Sequence, residues 1–277
     1  MLHVEKMRAE DFAFAVQLAN TMDWNMAESD FEFMTKLEQD GCFVAFQAQE
    51  PIGMATCVSY GKIGWFGNLA VKEDCRKRGF GTFIVKHALK YLSEKGVETV
   101  GLYAYSHLVR FYERVGFKPH DDFVVFNGKP SLGKPKRAAR AAGKKDIKEL
   151  IDFDKRCFGW ERKGLLESIL FEKGNFCYFL VKKGEVEGFI AAKVYEKMAE
   201  MGPLVCHKEG AAVELVKNML SMLRDFDVYV CAPENGKAIT TTLLNAGLKA
   251  NFQVTRMFLG PVNVQGCVYL PESLERG

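Results

Sequence analysis

Residues 70–92 read AVKEDCRKRGFGTFIVKHALKYL: an apolar run, a basic turn with two glycines, and an amphipathic stretch, end to end. The apolar run has the character of a strand. From Gly79 onward Phe80, Phe83, Ile84, His87, Ala88, Tyr91 and Leu92 recur at helical spacing, which predicts a helix from 79 to about 95. A strand that feeds a helix through such a turn points several backbone N–H groups at one place. The helix N-terminus adds about half a positive charge there. Gly79 and Gly81 permit close approach or positive φ, and Arg76, Lys77 and Arg78 add cations, with Lys72 beside them. In physical terms the turn is a diphosphate cradle. It is neither a Walker A loop, which needs Gly-Lys-Ser/Thr, nor a Rossmann fingerprint, which needs Gly-x-Gly-x-x-Gly.

Outward from this turn, the first half predicts helices over 9–21 and 29–38 and strands over 42–48, 52–60 and 63–71. After the central helix come a strand at 99–105, a helix at 107–115 ended by Gly116, and a last strand at 123–126. The pattern is that of an α/β (α+β) domain, a mixed and mostly antiparallel sheet flanked by helices. The second half repeats it. RAED (8–11) falls on GKKD (143–146), GCFVAF (41–46) on FCYFLV (176–181), Gly53 on Gly188 and GNLAV (67–71) on GPLVC (202–206), all at an offset of 135 residues. YERVGFK (112–118) falls on LLNAGLK (243–249) at 131. About four residues are therefore missing from the second copy, and the simplest place is the basic turn: seven residues separate Val71 from Gly79, three separate Cys206 from Gly210. Two tandem domains are expected, 1–130 and 131–277, the second without the pyrophosphate loop. Between them 127–150 is dense in Gly, Pro and Lys/Arg and reads as a solvated connector.

An apolar fraction of 48% and a charged fraction of 26% predict a packed chain. No apolar run approaches the ~20 residues of a membrane span, and the N-terminus lacks a signal peptide's apolar centre, so a cytoplasmic protein is expected. The eight cysteines are scattered through apolar runs with no Cys-x-x-Cys and no Cys/His cluster along the chain, so free thiols and no metal are expected. A net charge of +3 does not argue for nucleic acid, and RNA binding by 129–148 ranks last among the readings.

Arg76-x-x-Gly79-x-Gly81 matches the Arg/Gln-x-x-Gly-x-Gly/Ala signature of the GNAT N-acetyltransferase superfamily, and RFYERVGF (110–117) resembles that family's Leu-Tyr-Glu-x-x-Gly-Phe motif. MDWNMAESDFEFM (22–34) resembles a segment of a subgroup with two fused acetyltransferase-like domains. RCFGWERKGLLESIL (156–170) and TRMFLGP (255–261) look like that subgroup's second domain. The resemblance implies acetyl-CoA as cosubstrate, its pyrophosphate held by Arg76, Lys77, Arg78, Gly79, Phe80, Gly81 and Thr82. Its pantetheine arm would pair with Leu69, Ala70 and Val71 where that strand splays from its neighbour. Tyr112 matches the family's general-acid tyrosine, and the paired position in the second copy is Leu243. Many relatives carry a basic Glu on the strand before the loop, but KIGWFGNLAV has no carboxylate. Asp23, Glu28 and Asp30 are candidates, Asp30 first, with His107 a further one; helix capping is the plain alternative for each. Tyr105 stands where relatives commonly have Asn. Trp24, Asn25, Trp65, Asn68 and Tyr103, with Tyr60, are candidates to line an acceptor pocket, though aromatics on strands pack cores by default. The expected function is N-acetylation of a primary amine, the acceptor a small molecule, by a monomer or homodimer. The alternative is a non-catalytic acyl-CoA sensor or scaffold. The second copy is expected to close the acceptor cavity of the first.

Overall fold

The computed structural model describes residues 1–133, 138–170, 172–262 and 266–277. The first half forms β1 (Leu2–Lys6), α1 (Phe12–Asn20), α2 (Glu28–Leu37), β2 (Cys42–Gln47), β3 (Glu50–Tyr60), β4 (Ile63–Val71), α3 (Phe80–Glu94), β5 (Thr99–Tyr105), α4 (Val109–Glu113) and β6 (Lys118–Gly128). The second forms β7 (Arg140–Ala141), α5 (Ile147–Phe158), α6 (Lys163–Leu170), β8 (Phe176–Lys182), β9 (Glu185–Tyr195), β10 (Met198–Cys206), α7 (Glu209–Met222), β11 (Asp227–Pro233), α8 (Lys237–Asn245), β12 (Lys249–Leu259) and β13 (Val268–Leu270). Each predicted element is present with edges moved by a few residues. The short strands β1 and β7 carry no strand-length apolar pattern and were not expected.

The repeat survives as geometry. β3 and β9 begin at Glu50 and Glu185, and β4 and β10 at Ile63 and Met198, each pair 135 apart; β6 and β12 begin at Lys118 and Lys249, 131 apart. Eight residues, 72–79, join β4 to α3, while only two, 207–208, join β10 to α7. The turn has thus lost six residues rather than four, and the longer α8 restores part of the difference. α3 buries Ile84, Val85, Ala88 and Leu92 as its spacing requires, whereas Phe83 stands exposed. Gly79 caps it at φ 86°, a left-handed value that costs glycine nothing.

The two halves share one sheet in the order β1-β2-β3-β4-β5-β12-β6-β11-β10-β9-β8-β7, with β13 paired to β10. The last strands are exchanged: β12 pairs β5 of the first half, β6 pairs β11 of the second, and β6 and β12 pair each other antiparallel. Beyond each half's own core, Val58, Tyr60 and Trp65 of the first half pack with Leu165, Leu166, Phe189 and Phe258 of the second in a shared core under α5 and α6. Within the connector, residues 134–137 lie outside the described residues. The remainder is less solvated than expected, since Arg140–Ala141 pairs with β8 as the edge strand and Arg140 lies 4.8 Å over the Phe179 ring.

Candidate active site where two strands diverge

β4 and β5 run parallel and pair at Ile63–Thr99, Gly64–Val100 and Trp65–Gly101 only. Past Trp65 the ladder ends and the strands diverge. On its other side β4 pairs with β3 through a bulge: Gly67 faces Thr56 and Ala70 faces Met54, so Asn68 and Leu69 together oppose one residue. Asn68 adopts φ 50° and its Nδ2 donates to Thr56 Oγ1 at 3.1 Å. A bulge leaves its extra residue out of the ladder, which frees a backbone N–H beside the gap.

The basic turn lies at the far end of β4. Arg76 folds back, its Nε donating to the Val71 carbonyl at 2.9 Å and its Nη2 lying 3.1 Å from Met22 Sδ. Lys72 pairs with Glu50 at 2.8 Å, and the Arg78 guanidinium lies 5.0 Å over the Phe80 ring. Lys77 and Gly79 both take positive φ, 61° and 86°. Among the described residues nothing accepts a hydrogen bond from the backbone N–H groups of 77–82. A Cβ at Gly79 would meet nothing within 4 Å, and one at Gly81 only the Phe111 ring and, at 4.0 Å, a Val71 methyl, at ordinary contact distances. Several unsatisfied donors, a helix N-terminus and open space before them fit a diphosphate group.

Tyr112 is buried, its ring 6.4 Å from Phe66, 4.9 Å from Phe111 and 5.9 Å from Phe117. Phe66 follows the last β4–β5 pair, so α4 packs the Tyr112 ring against β4 where the strands part. Burial pushes its pKa well above the ordinary value and keeps it protonated. Asp30 Oδ2 accepts the Ala27 N–H at 2.8 Å and thereby caps α2. Asp23 and Glu28 are exposed, as is His107, whose ring stacks on Tyr105 at 5.9 Å. The half-buried Trp24 side chain lies beside the Tyr105 phenol, bringing the α1–α2 loop to the end of β5. Asn25, at φ 53°, is exposed. Trp65 and Tyr103, 5.4 Å apart, are drawn into packing between the halves.

The sequence gives no sign of what covers β4. Residues 271–277 do so. Trp65 Nε1 donates to the Leu274 carbonyl at 3.1 Å, the Tyr60 hydroxyl to Arg276 O at 3.0 Å, and Arg162 Nη1 to Gly277 O at 2.8 Å. Arg162 is itself clamped by Asp154 at 2.7 and 3.1 Å, both side chains fully buried. Glu272 receives Lys193 Nζ at 2.5 Å and Arg276 Nε at 2.7 Å. Burial alone would raise the Glu272 carboxyl, but Arg276 and Lys193 outweigh it and hold the group well below the usual carboxylate range. Gly67 is required here, because a Cβ at that position would overlap the Cα and Cβ of Glu275. Glu275 thus lies against β4 at Gly67, its carboxylate paired with Arg276 Nη1 at 2.6 Å. No motif marks it, which is why spacing along the chain cannot find it.

The second copy differs at the same place. β10 and β11 pair at Met198–Asp227, Ala199–Val228 and Glu200–Tyr229 and then diverge, but β13 enters the gap and pairs with β10 at Leu204 and Val205.

Residues 7–117 match the acetyltransferase (GNAT) family, and residues 150–266 match an acetyltransferase (GNAT) domain. The chain belongs to the GNAT acetyltransferases. It carries two GNAT domains in tandem and is an acyltransferase of that family. A holothin acyltransferase of Pseudoalteromonas sp. (strain SANK 73390) is 20% identical over 255 residues, 91% of this chain and 85% of that protein. Among solved structures, a protein from Pyrococcus horikoshii, described provisionally as an acetyltransferase, superposes with a TM-score of 0.82 at 22% identity over 100% of this chain and 96% of its own. A tandem GNAT protein from the clavulanic acid biosynthesis pathway gives 0.64 at 12% identity, covering 95% and 100%. These structural likenesses establish the fold. No helix among the described residues is long and apolar enough to cross a membrane.

Proposed function

We propose that this GNAT protein transfers an acetyl group from acetyl-CoA directly to a primary amine of a small molecule, in its first domain alone. The observation that supports this most is the open divergence of β4 from β5, which runs from the bulge at Asn68 and Leu69 to the unsatisfied N–H groups of 77–82. The turn and the start of α3 hold the pyrophosphate, and 69–71 pair with the pantetheine arm. The bulge N–H polarises the thioester carbonyl. The amine nitrogen forms the new C–N bond, the C–S bond breaks, and the departing sulfur takes the Tyr112 proton. The amine's own proton passes to a carboxylate. Glu275 suits that role better than Asp30, because Glu275 lies against β4 at Gly67 while Asp30 is occupied with its cap. A small acceptor suits a cleft already narrowed by Trp65, Tyr60 and the 271–277 segment.

Calorimetric titration of acetyl-CoA should find one site per chain, and an amine library followed by thiol release should then find turnover. Glu275→Gln is expected to lower kcat by roughly 100-fold with acetyl-CoA affinity unchanged, and Asp30→Asn by less than about threefold. The reverse pattern would make Asp30 the base. Binding without turnover on any amine would favour the sensor reading, and no binding would overturn both.

A further inference from the structure

Cys157, His207 and Cys267 are 50 and 60 residues apart along the chain, yet their ligand atoms all lie within 4.8 Å of one another. His207 Nδ1 is 3.8 Å from Cys157 Sγ and 3.7 Å from Cys267 Sγ. With metal–sulfur bonds of about 2.3 Å and metal–nitrogen bonds of about 2.0–2.1 Å, tetrahedral ligation places sulfur and nitrogen about 3.6 Å apart. The cluster is preformed at nearly that spacing. Its parts are also held: the Phe153 ring meets the His207 imidazole edge-on at 4.8 Å, and the Cys206 N–H donates to the Cys267 carbonyl at 2.8 Å. Cys157 is buried on the last turn of α5, Cys267 is half-buried and His207 is exposed, so one side of the cluster opens to solvent.

We infer that Cys157, His207 and Cys267 form a binding site for a thiophilic divalent ion of the zinc type, with solvent in the fourth position. Two thiolates and one imidazole are the soft and borderline donors that select such an ion over magnesium or calcium. The two thiols give up their protons to solvent on binding, and no redox change is involved. The position gives the site a purpose. His207 occupies the shortened turn that replaces the phosphate loop, and Cys267 leads directly into β13, the strand that fills the second domain's gap. An ion here ties α5, the β10–α7 turn and β13 together. It thereby secures the segment that continues over the active-site strand of the first domain.

The test uses the full chain, reduced and freed of metal, with Zn2+ and Co2+ as probes. The expected result is one Co2+ per chain, near-ultraviolet thiolate-to-cobalt charge-transfer absorption, competition by Zn2+, and a higher Tm with Zn2+. His207→Gln, a change at an exposed position, should keep the fold and lose stoichiometric binding; Cys267→Ser should lose the charge-transfer intensity of one thiolate. Three outcomes would overturn the inference: no stoichiometric ion, binding that His207→Gln and Cys267→Ser leave unchanged, or an intact mass short by two hydrogens with Cys157 and Cys267 joined as a disulfide. None of these readouts depends on acyl transfer, so failure here and failure of the proposed reaction are separable.

Discussion

β4 with β5 and β10 with β11 are one construction built twice, and only the first remains open. In both, three parallel pairs hold the strands together before they part. At corresponding positions Trp65 answers Glu200 and Gly67 answers Gly202, and both glycines admit the same 271–277 segment: a Cβ at Gly67 would overlap Glu275, and one at Gly202 would overlap Pro271 O. The gap in the second copy is occupied by β13, whose backbone satisfies the donors and acceptors of β10 that a pantetheine arm would otherwise meet. The turn beyond it has lost the residues that present free N–H groups. The difference teaches that a gap between diverging strands, present twice, can be closed by filling it with chain, because a buried strand edge must be paired in any case.

The comparison can be broken first at the clamp that fixes the covering segment. Asp154→Ala leaves the Arg162 guanidinium buried without its partner and should destabilise the chain by about 3–5 kcal/mol in urea unfolding. A loss below 1 kcal/mol would mean that the segment is not anchored there. The asymmetry of the two turns is the next test. Arg76→Ala combined with Gly81→Trp should weaken acetyl-CoA binding at least roughly 100-fold, about 2.7 kcal/mol, whereas Lys208→Ala in the shortened turn should leave it within twofold. Equal sensitivity at both turns would restore the second copy as a cofactor site.

The smallest expected effect concerns acid. Arg276 and Lys193 hold the Glu272 carboxyl low against the upward push of burial, so its contribution to stability is full above the ordinary carboxylate pKa of about 4.3 and is lost as pH falls below that toward the folded value. The Tm of the wild type minus that of Glu272→Gln should therefore shrink as pH drops from about 5. A difference constant with pH would show that Glu272 is not the group linking the tail to acid stability.

Much of this molecule was legible in advance, and for particular reasons. The β4–turn–α3 unit is local: glycines, cations and the spacing of Ile84, Ala88 and Leu92 all lie within 25 residues, so the sequence carries the geometry directly. Tandem copies were legible because an offset needs only order. The exchange of β6 and β12 was not, since the two strands carry closely similar patterns of buried and exposed residues, and nothing along the chain distinguishes which neighbour each takes. Trp65 and Tyr103 were candidates to line a pocket, and what packs on them, Phe258, Phe123 and the tail, comes from 20 to 209 residues away.

By itself the sequence determined the fold class, the duplication and the basic Gly-containing turn between β4 and α3, because each depends on periodicity, order or residues close along the chain. Only the tertiary structure decided which gap stays open, that Glu275 lies against β4 at Gly67, and that Cys157, His207 and Cys267 meet. Those three facts depend on where residues 266–277 come to rest. Their resting place is set by complementarity to surfaces from both domains, with Gly67 and Gly202 making room and Arg162 and Lys193 supplying charge, and no pattern within the segment encodes it.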